Sequence, residues 1–202
     1  MKKIAQGAEA IIYQEGKKVV KDRISKSYRH SDLDNKIRRQ RTKAEGKIMQ
    51  KVSKIINVPK ILADPGAGRM IHMQFINGKR LSQHLDEFPL TKQKQIIKLI
   101  GKSVAKLHQI HIVHGDLTTS NIIYKSGKVY FIDFGLAFQN AKYEDKGIDI
   151  HLLKQALEAK HFKNWEVLFS EFEKTYNKLE PKEASRVFER LLAIEKRGRY
   201  RH

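Results

Sequence analysis

Residues 114–121, HGDLTTSN, run directly into the apolar triplet IIY, and twelve residues past Asn121 the chain reads Asp133-Phe134-Gly135 at the end of VYFIDFG. IIY and VYFID, with Lys125-Ser126-Gly127 between them, predict two short strands around a tight turn. The fold must therefore carry two polar loops on one strand–turn–strand unit. Turns use Asp and Asn as local caps. An Asp and an Asn five positions apart, followed by a third side-chain oxygen donor just past a strand, instead suit a site that holds a metal ion and a phosphate.

The rest of the chain supplies a frame for that unit. Residues 1–23 read as strands with short turns: KKIA, the loop QGAEA, AIIYQ, the turn EGKK, then VVKDRI. A basic helix follows. Ser31 with Asp34 forms a capping pair, and Ile37, Ala44, Ile48 and Val52 fall on one side at helical spacing. VPKIL and RMIHMQFI, joined by ADPGAG, predict a hairpin with its turn at Pro65-Gly66. After Asn77-Gly78 the pattern becomes helical. Ile96, Ile100, Val104 and Leu107 share one face of a helix over 91–110, and three more helices are expected near 147–159, 164–178 and 182–195. Trp165, Leu168, Phe169, Phe172 and Tyr176 read as core. The expected class is α+β: a small antiparallel sheet with one helix in residues 1–76, a mostly helical part in 77–195, and an unstructured basic tail in 196–202.

A magnesium-bound triphosphate needs hard oxygen ligands, a cation near its phosphates, and a carboxylate to orient the acceptor. Lys21 ends the apolar strand VVK, and Glu45 lies on the only helix of the first part, beside Ala44 and Ile48. A Lys–Glu pair would hold the ammonium in place, although such a pair alone carries little weight.

Charge narrows the partners. Lys and Arg number 41 against 22 acidic residues, a net charge of +19. Eight of these cations fall within residues 36–54, against the single acid Glu45. That bias favours a phosphate-rich partner, a nucleic acid above all. The basic segments lack the Trp/Phe-rich face of an interfacial helix, and no apolar run approaches the roughly 20 residues of a membrane span. No membrane partner is therefore expected. There is no cysteine, which excludes disulfides and thiol catalysis. MKKIAQGAEA has a charged tip but no apolar core behind it, so a secretory signal is not expected and the cytoplasm is the default location.

HGDLTTSN followed by IDFG resembles the catalytic loop and metal-binding motif of the protein-kinase-like fold. The resemblance implies that Asp116 is the catalytic Asp, and that Asn121 and Asp133 are the Mg²⁺ ligands. It makes Lys21 the phosphate-pairing Lys with Glu45 as its helix partner, Gly7 the glycine of the phosphate loop, and Met73-Gln74-Phe75-Ile76 the hinge that meets adenine. ATP and Mg²⁺ are the implied cofactors. The departures are specific. QGAEA carries one glycine where a typical kinase has three, His-Gly-Asp replaces His-Arg-Asp, and Thr118 stands where a lysine is usual. Only 67 residues follow the DFG, and the four prolines lie at 59, 65, 89 and 181. No Ala-Pro-Glu shelf can follow, so the activation segment and peptide-binding platform are missing from a minimal bilobal fold. Asp149 in EDKGIDIHLL resembles the Asp that braces the catalytic loop, or else caps its helix.

With QGAEA, HGDLTTSN, DFG, EDKGIDIHLL and RGRYR, the chain resembles the small atypical kinase family of the KEOPS complex. This implies an Mg/ATP-dependent Ser/Thr kinase and ATPase. It would work beside the threonylcarbamoyl-transferase subunit and other KEOPS subunits on tRNA. Lys196, Arg197, Arg199 and Arg201 are then candidate RNA-binding residues of the tail. Three other readings fit the loops. A small-molecule phosphotransferase of the aminoglycoside or choline kinase type shares His-Gly-Asp but needs extra helices to enclose its substrate. A RIO-like ribosome-assembly kinase is similarly basic and lacks an activation segment. A pseudokinase scaffold would bind RNA only, and loss of Mg-ATP turnover with Asp133 separates it from an enzyme.

Overall fold

The computed structural model describes residues 1–65 and 68–199, which divide into two compact units. The first comprises 1–54 and 58–77, the second 55–57 and the chain from Gly78 onward.

In the first unit β1 (Lys2–Gln6), β2 (Ala10–Glu15), β3 (Lys18–Arg23) and β4 (Met70–Gln74) form an antiparallel sheet in the order β1-β2-β3-β4. The expected hairpin before β4 is present as backbone pairing. Ile61 bridges Met73, and Leu62 N–H donates to the His72 carbonyl at 2.8 Å. Gly66, half of its expected turn, lies outside the described residues.

The one helix, α1 (Ser31–Val52), packs differently from its apolar pattern. Ala44 is exposed, and the buried face is Asp34, Arg38, Thr42, Glu45, Gly46, Ile48, Met49 and Val52. Two contacts fix this phase. Thr42 Oγ1 donates to the Arg69 carbonyl at 3.1 Å, and Pro65 lies so close to Gly46 that an added Cβ would sit 2.2 Å from its Cγ. The Ser31–Asp34 cap is also not formed. His30 is the N-cap and makes no side-chain cap bond, because Asp34 is buried and committed to Arg38 at 2.7 Å. Burial pushes the Asp34 carboxyl up, but bonds from the Lys26 amide, Ser25 and Arg38 outweigh it and hold its pKa below the usual value.

The second unit contains β5 (Lys79–Arg80), α2 (Leu81–His84), α3 (Leu90–Gln109), β6 (Ile112–Val113), β7 (Ile122–Lys125), β8 (Lys128–Phe131), β9 (Phe138–Gln139), α4 (Tyr143–Lys160), α5 (Trp165–Leu179) and α6 (Ala184–Arg199). β5-β7-β8 form one small sheet and β6-β9 another. The β7–β8 turn places Ser126 (φ 48°) and Gly127 (φ 78°) in left-handed conformations, as a two-residue hairpin loop that follows strand twist requires. Ile96, Ile100, Val104 and Leu107 of α3 and Leu168, Phe172 and Tyr176 of α5 lie in the core, all at most 1% exposed, and α3 meets α5 where Gly101 approaches Thr175 and Phe172 and His108 bonds Tyr176 at 2.8 Å. Asn57 joins this unit through the backbone, its carbonyl accepting the Phe131 amide at 3.0 Å.

The basic tail needs correction. α6 continues through Lys196 and Arg197 to Arg199, where the sequence pattern suggests loss of structure. Ala184, Val187 and Leu191 anchor the helix in the core, and extending an anchored helix avoids the cost of nucleation. Arg201 lies outside the described residues. Among the described residues no helix is long and apolar enough to cross a membrane.

Candidate active site

In the second unit, antiparallel register builds a candidate site around Asp116, Asn121 and Asp133. Ile122 pairs with Phe131 at the open end of the β7–β8 hairpin. Asn121 therefore stands opposite Ile132, whose amide donates to the Asn121 carbonyl at 2.9 Å. Two four-residue strands, a two-residue turn and Ile132 account for the spacing of twelve, and they place Asn121 and Asp133 at the same end of one hairpin. Asn121 Nδ2 donates to the Asp116 carboxylate at 2.8 Å and to its carbonyl at 2.9 Å. This fixes the Asp116 rotamer and commits the donor end of the Asn121 amide, so its oxygen is the end left to meet a ligand. Asp133 is exposed, with φ at 63°, and accepts the Gly135 amide at 3.2 Å.

The loop that carries Asp116 is clamped at both ends. At its start, Asp149 of α4 takes the His114 amide on one carboxylate oxygen at 2.7 Å and the Gly115 amide on the other at 2.8 Å. α4 begins at Tyr143, so Asp149 lies inside the helix and braces the loop instead of capping the helix. His114 Nδ1 accepts the Asp116 amide at 3.3 Å, which leaves Nε2 to donate to the Ile132 carbonyl at 3.0 Å. The imidazole thus joins this loop to the strand end before Asp133, and its ring packs 4.7 Å from Phe134. At the far end, buried His161 bridges Thr119 Oγ1 (3.2 Å) and Asp86 (3.0 Å).

Gly115 explains the missing arginine. Its φ is 79°, and a Cβ there would lie 2.2 Å from the Leu136 carbonyl oxygen. The chain passes this close because β9 pairs with β6 directly after the DFG, Phe138 opposite Val113, and α4 starts at Tyr143. Residues 136–142 are all that separate Gly135 from that helix, so the long activation segment of a typical kinase has no counterpart.

The first unit holds a buried cluster of two cations and a carboxylate. Lys21 on β3 and Glu45 on α1 are both buried and 2.8 Å apart. Arg23, two residues on and so on the same face of the strand, holds the other Glu45 oxygen at 2.6 Å. Arg23 also accepts, through its carbonyl, a bond from Arg38 Nη1 at 3.3 Å. The sequence reading missed Arg23 and His161. The alternation Lys21-x-Arg23 is the one signal that could have revealed a second cation. The loop containing Gly7 is tied down by Lys26 Nζ on the Ala8 carbonyl (2.5 Å) and by Arg41 on Glu9 (2.8 Å). A Cβ on Gly7 would come no closer than 4.0 Å to the Ala10 carbonyl, so that glycine is not sterically required. In the segment Met73–Ile76, the Gln74 and Phe75 amides are taken by the Lys60 (2.8 Å) and Lys17 (2.9 Å) carbonyls. An adenine edge at this segment would thus have to use its remaining groups. Lys196 and Arg197 are exposed on α6, where Arg197 pairs with Glu144 at 2.9 Å.

A model of the RIO domain matches residues 6–156. The KEOPS complex subunit Bud32 of Pyrococcus abyssi is 41% identical over all of this chain and 97% of its own length. A probable serine/threonine-protein kinase BUD32 homolog of Archaeoglobus fulgidus is 36% identical, with 98% of this chain and 96% of that protein covered. A probable bifunctional tRNA threonylcarbamoyladenosine biosynthesis protein of Methanosarcina mazei is 38% identical over 96% of this chain but only 35% of its own length. Among solved structures, the streptomycin–ATP ternary complex of APH(2″)-IIa superposes with a TM-score of 0.57 over 95% of this chain and 90% of that one, at 13% identity. At that identity the likeness shows the kinase-like fold alone.

Proposed function

The chain belongs to the RIO-domain family and, within it, to the Bud32 subunits of KEOPS complexes, and from that premise we propose a magnesium- and ATP-dependent phosphotransferase. It acts as an atypical Ser/Thr kinase and ATPase, and it supports threonylcarbamoyladenosine formation on tRNA beside the transferase subunit and the other KEOPS subunits. The observation that carries the chemistry is the Asn121 amide, whose nitrogen holds Asp116 by carboxylate and carbonyl together. Asp116 orients the attacking hydroxyl or water and takes up its proton. Lys21, held by Glu45, meets the nucleotide phosphates, with the loop at Gly7 beside them, and the segment Met73–Ile76 receives adenine, the Ile76 amide serving as donor.

The residues present fit magnesium. Among the described residues no group of three His, Cys, Asp or Glu could cage a metal by itself. A site made of the Asp133 carboxylate and the Asn121 amide oxygen leaves the other positions to phosphates and water, the arrangement Mg²⁺ prefers. The ion would neutralise charge on the transferred phosphoryl group. The RIO-domain match alone would equally suit a ribosome-assembly kinase. Relatives that align over nearly their whole length are named as a KEOPS complex subunit Bud32 and as a BUD32 homolog, and they favour the present reading.

Asp116→Ala is expected to lower ATP turnover by on the order of 10²–10⁴ with near-normal nucleotide affinity. Asp133→Ala should weaken magnesium-dependent nucleotide binding as well as turnover. Addition of the transferase subunit should raise the parental rate. Parental turnover in both variants would refute the assignment.

A further inference from the structure

The outer face of α1 has no role in the chemistry above. Lys36, Arg39, Lys43 and Lys47 are all exposed on it. At 100° per residue they fall within an arc of about 80°, along roughly 17 Å of helix. Lys54, also exposed, follows in the turn after the helix. Among the described residues none of these five cations has a hydrogen-bond or ion-pair partner. The helix's own acids do not neutralise them. Asp34 and Glu45 are buried and committed to Arg38, Lys21 and Arg23, while Asp32 lies in the first turn, 4.0 Å from His30. Some cations elsewhere are paired, Lys98 with Glu171, Lys154 with Glu195 and Arg197 with Glu144. Immediately before α1, the Tyr28 ring is 76% exposed, with the Arg29 guanidinium 5.2 Å from its centroid.

A row of unpaired cations with like-charge repulsion costs stability unless a polyanion meets it. We propose that this face is a docking surface for RNA, the row Lys36–Arg39–Lys43–Lys47 lying along phosphates and Tyr28 stacking on an unpaired base. An anionic membrane is the poorer fit, because Leu33 is the only large hydrophobic side chain exposed on α1, and an interfacial helix needs an apolar face. The assignment rests on the reading that the protein works on tRNA, and it names the surface by which it does so.

The test is equilibrium binding of a fluorescently labelled tRNA transcript to the full chain, between about 50 and 200 mM salt. The variant carries Lys36→Gln, Arg39→Gln, Lys43→Gln and Lys47→Gln. A control carries Lys102→Gln, Lys106→Gln, Lys163→Gln and Lys182→Gln, four exposed residues of the second unit with the same total charge change. Each phosphate contact contributes roughly 0.7–0.9 to the log–log salt slope. The α1 variant should therefore flatten the slope by about 3 and lose at least about tenfold in affinity at low salt, while the control changes little. Tyr28→Ala should weaken binding about fivefold or more with the slope unchanged. Equal losses in the variant and the control, or full binding by the α1 variant, would overturn the surface while leaving the tRNA reading intact. Absence of tRNA binding by the parent would overturn both. Loss of binding to phosphatidylserine vesicles in the α1 variant, with tRNA binding unchanged, would reassign the face to membranes.

Discussion

Replacing Asp149 by Asn probes how the catalytic loop is held, with almost no change in volume. The carboxylate receives the His114 and Gly115 amides on separate oxygens at 2.7 and 2.8 Å, and Asp149 is 1% exposed. Asn keeps one oxygen and sets an NH₂ against the second amide. One charge-assisted bond worth about 1.5–3 kcal/mol is lost, and a buried N–H is left orphaned. Some of this is regained because a buried charge disappears, so the net destabilisation should be about 2–4 kcal/mol. Read locally, that is about 30- to 700-fold faster amide exchange at 114–115, at roughly 1.4 kcal/mol per decade. Hydrogen exchange on a peptide spanning 113–117, beside a urea melt of the whole chain, separates loop release from global loss. Because Asp116 follows directly, turnover should fall with loop protection while the exchange of α3 keeps pace only with global stability. Unchanged protection at 114–115 in a well-folded Asp149→Asn variant would refute the bracing role.

Gly115→Ala forces a Cβ to 2.2 Å from the Leu136 carbonyl at φ 79°. The backbone preference alone costs about 1–2 kcal/mol, so a lower melting temperature and a displaced DFG loop are expected, and a parental melt would contradict the close approach. Glu45→Ala leaves Lys21 and Arg23 buried without their shared anion and should cost about 3–5 kcal/mol in urea unfolding, with Glu45→Gln milder because one acceptor remains. Burial, reinforced by Glu180, Glu183 and Asp149, pushes the Tyr176 phenol well above its ordinary 10.0. The folded state therefore holds this proton more tightly than the unfolded chain does. Its contribution is whole below pH 10 and declines as pH rises above it, and Tyr176→Phe should remove that part of the alkaline slope in unfolding titrations.

Local pattern made much of this protein legible. The spacing of Asn121 and Asp133 follows from two short strands and a tight turn, and the α3 and α5 faces from helical periodicity. These features depend on neighbours a few residues apart, where backbone geometry dictates which side chains meet. The α1 phase was not legible, because hydrophobic periodicity is blind to a buried face built from Asp34, Arg38, Thr42 and Glu45, whose burial depends on partners from elsewhere in the chain. The same holds for Thr119 and His161, 42 positions apart, for the His108–Tyr176 bond at 2.8 Å across 68 positions, and for the Leu136 carbonyl that makes residue 115 a glycine. The α6 helix likewise outlasts its sequence pattern because its first turns are already anchored. Sequence determined which groups could do the chemistry. Only tertiary structure decided what holds them, since hydrogen bonds between distant segments leave no periodic trace in the chain.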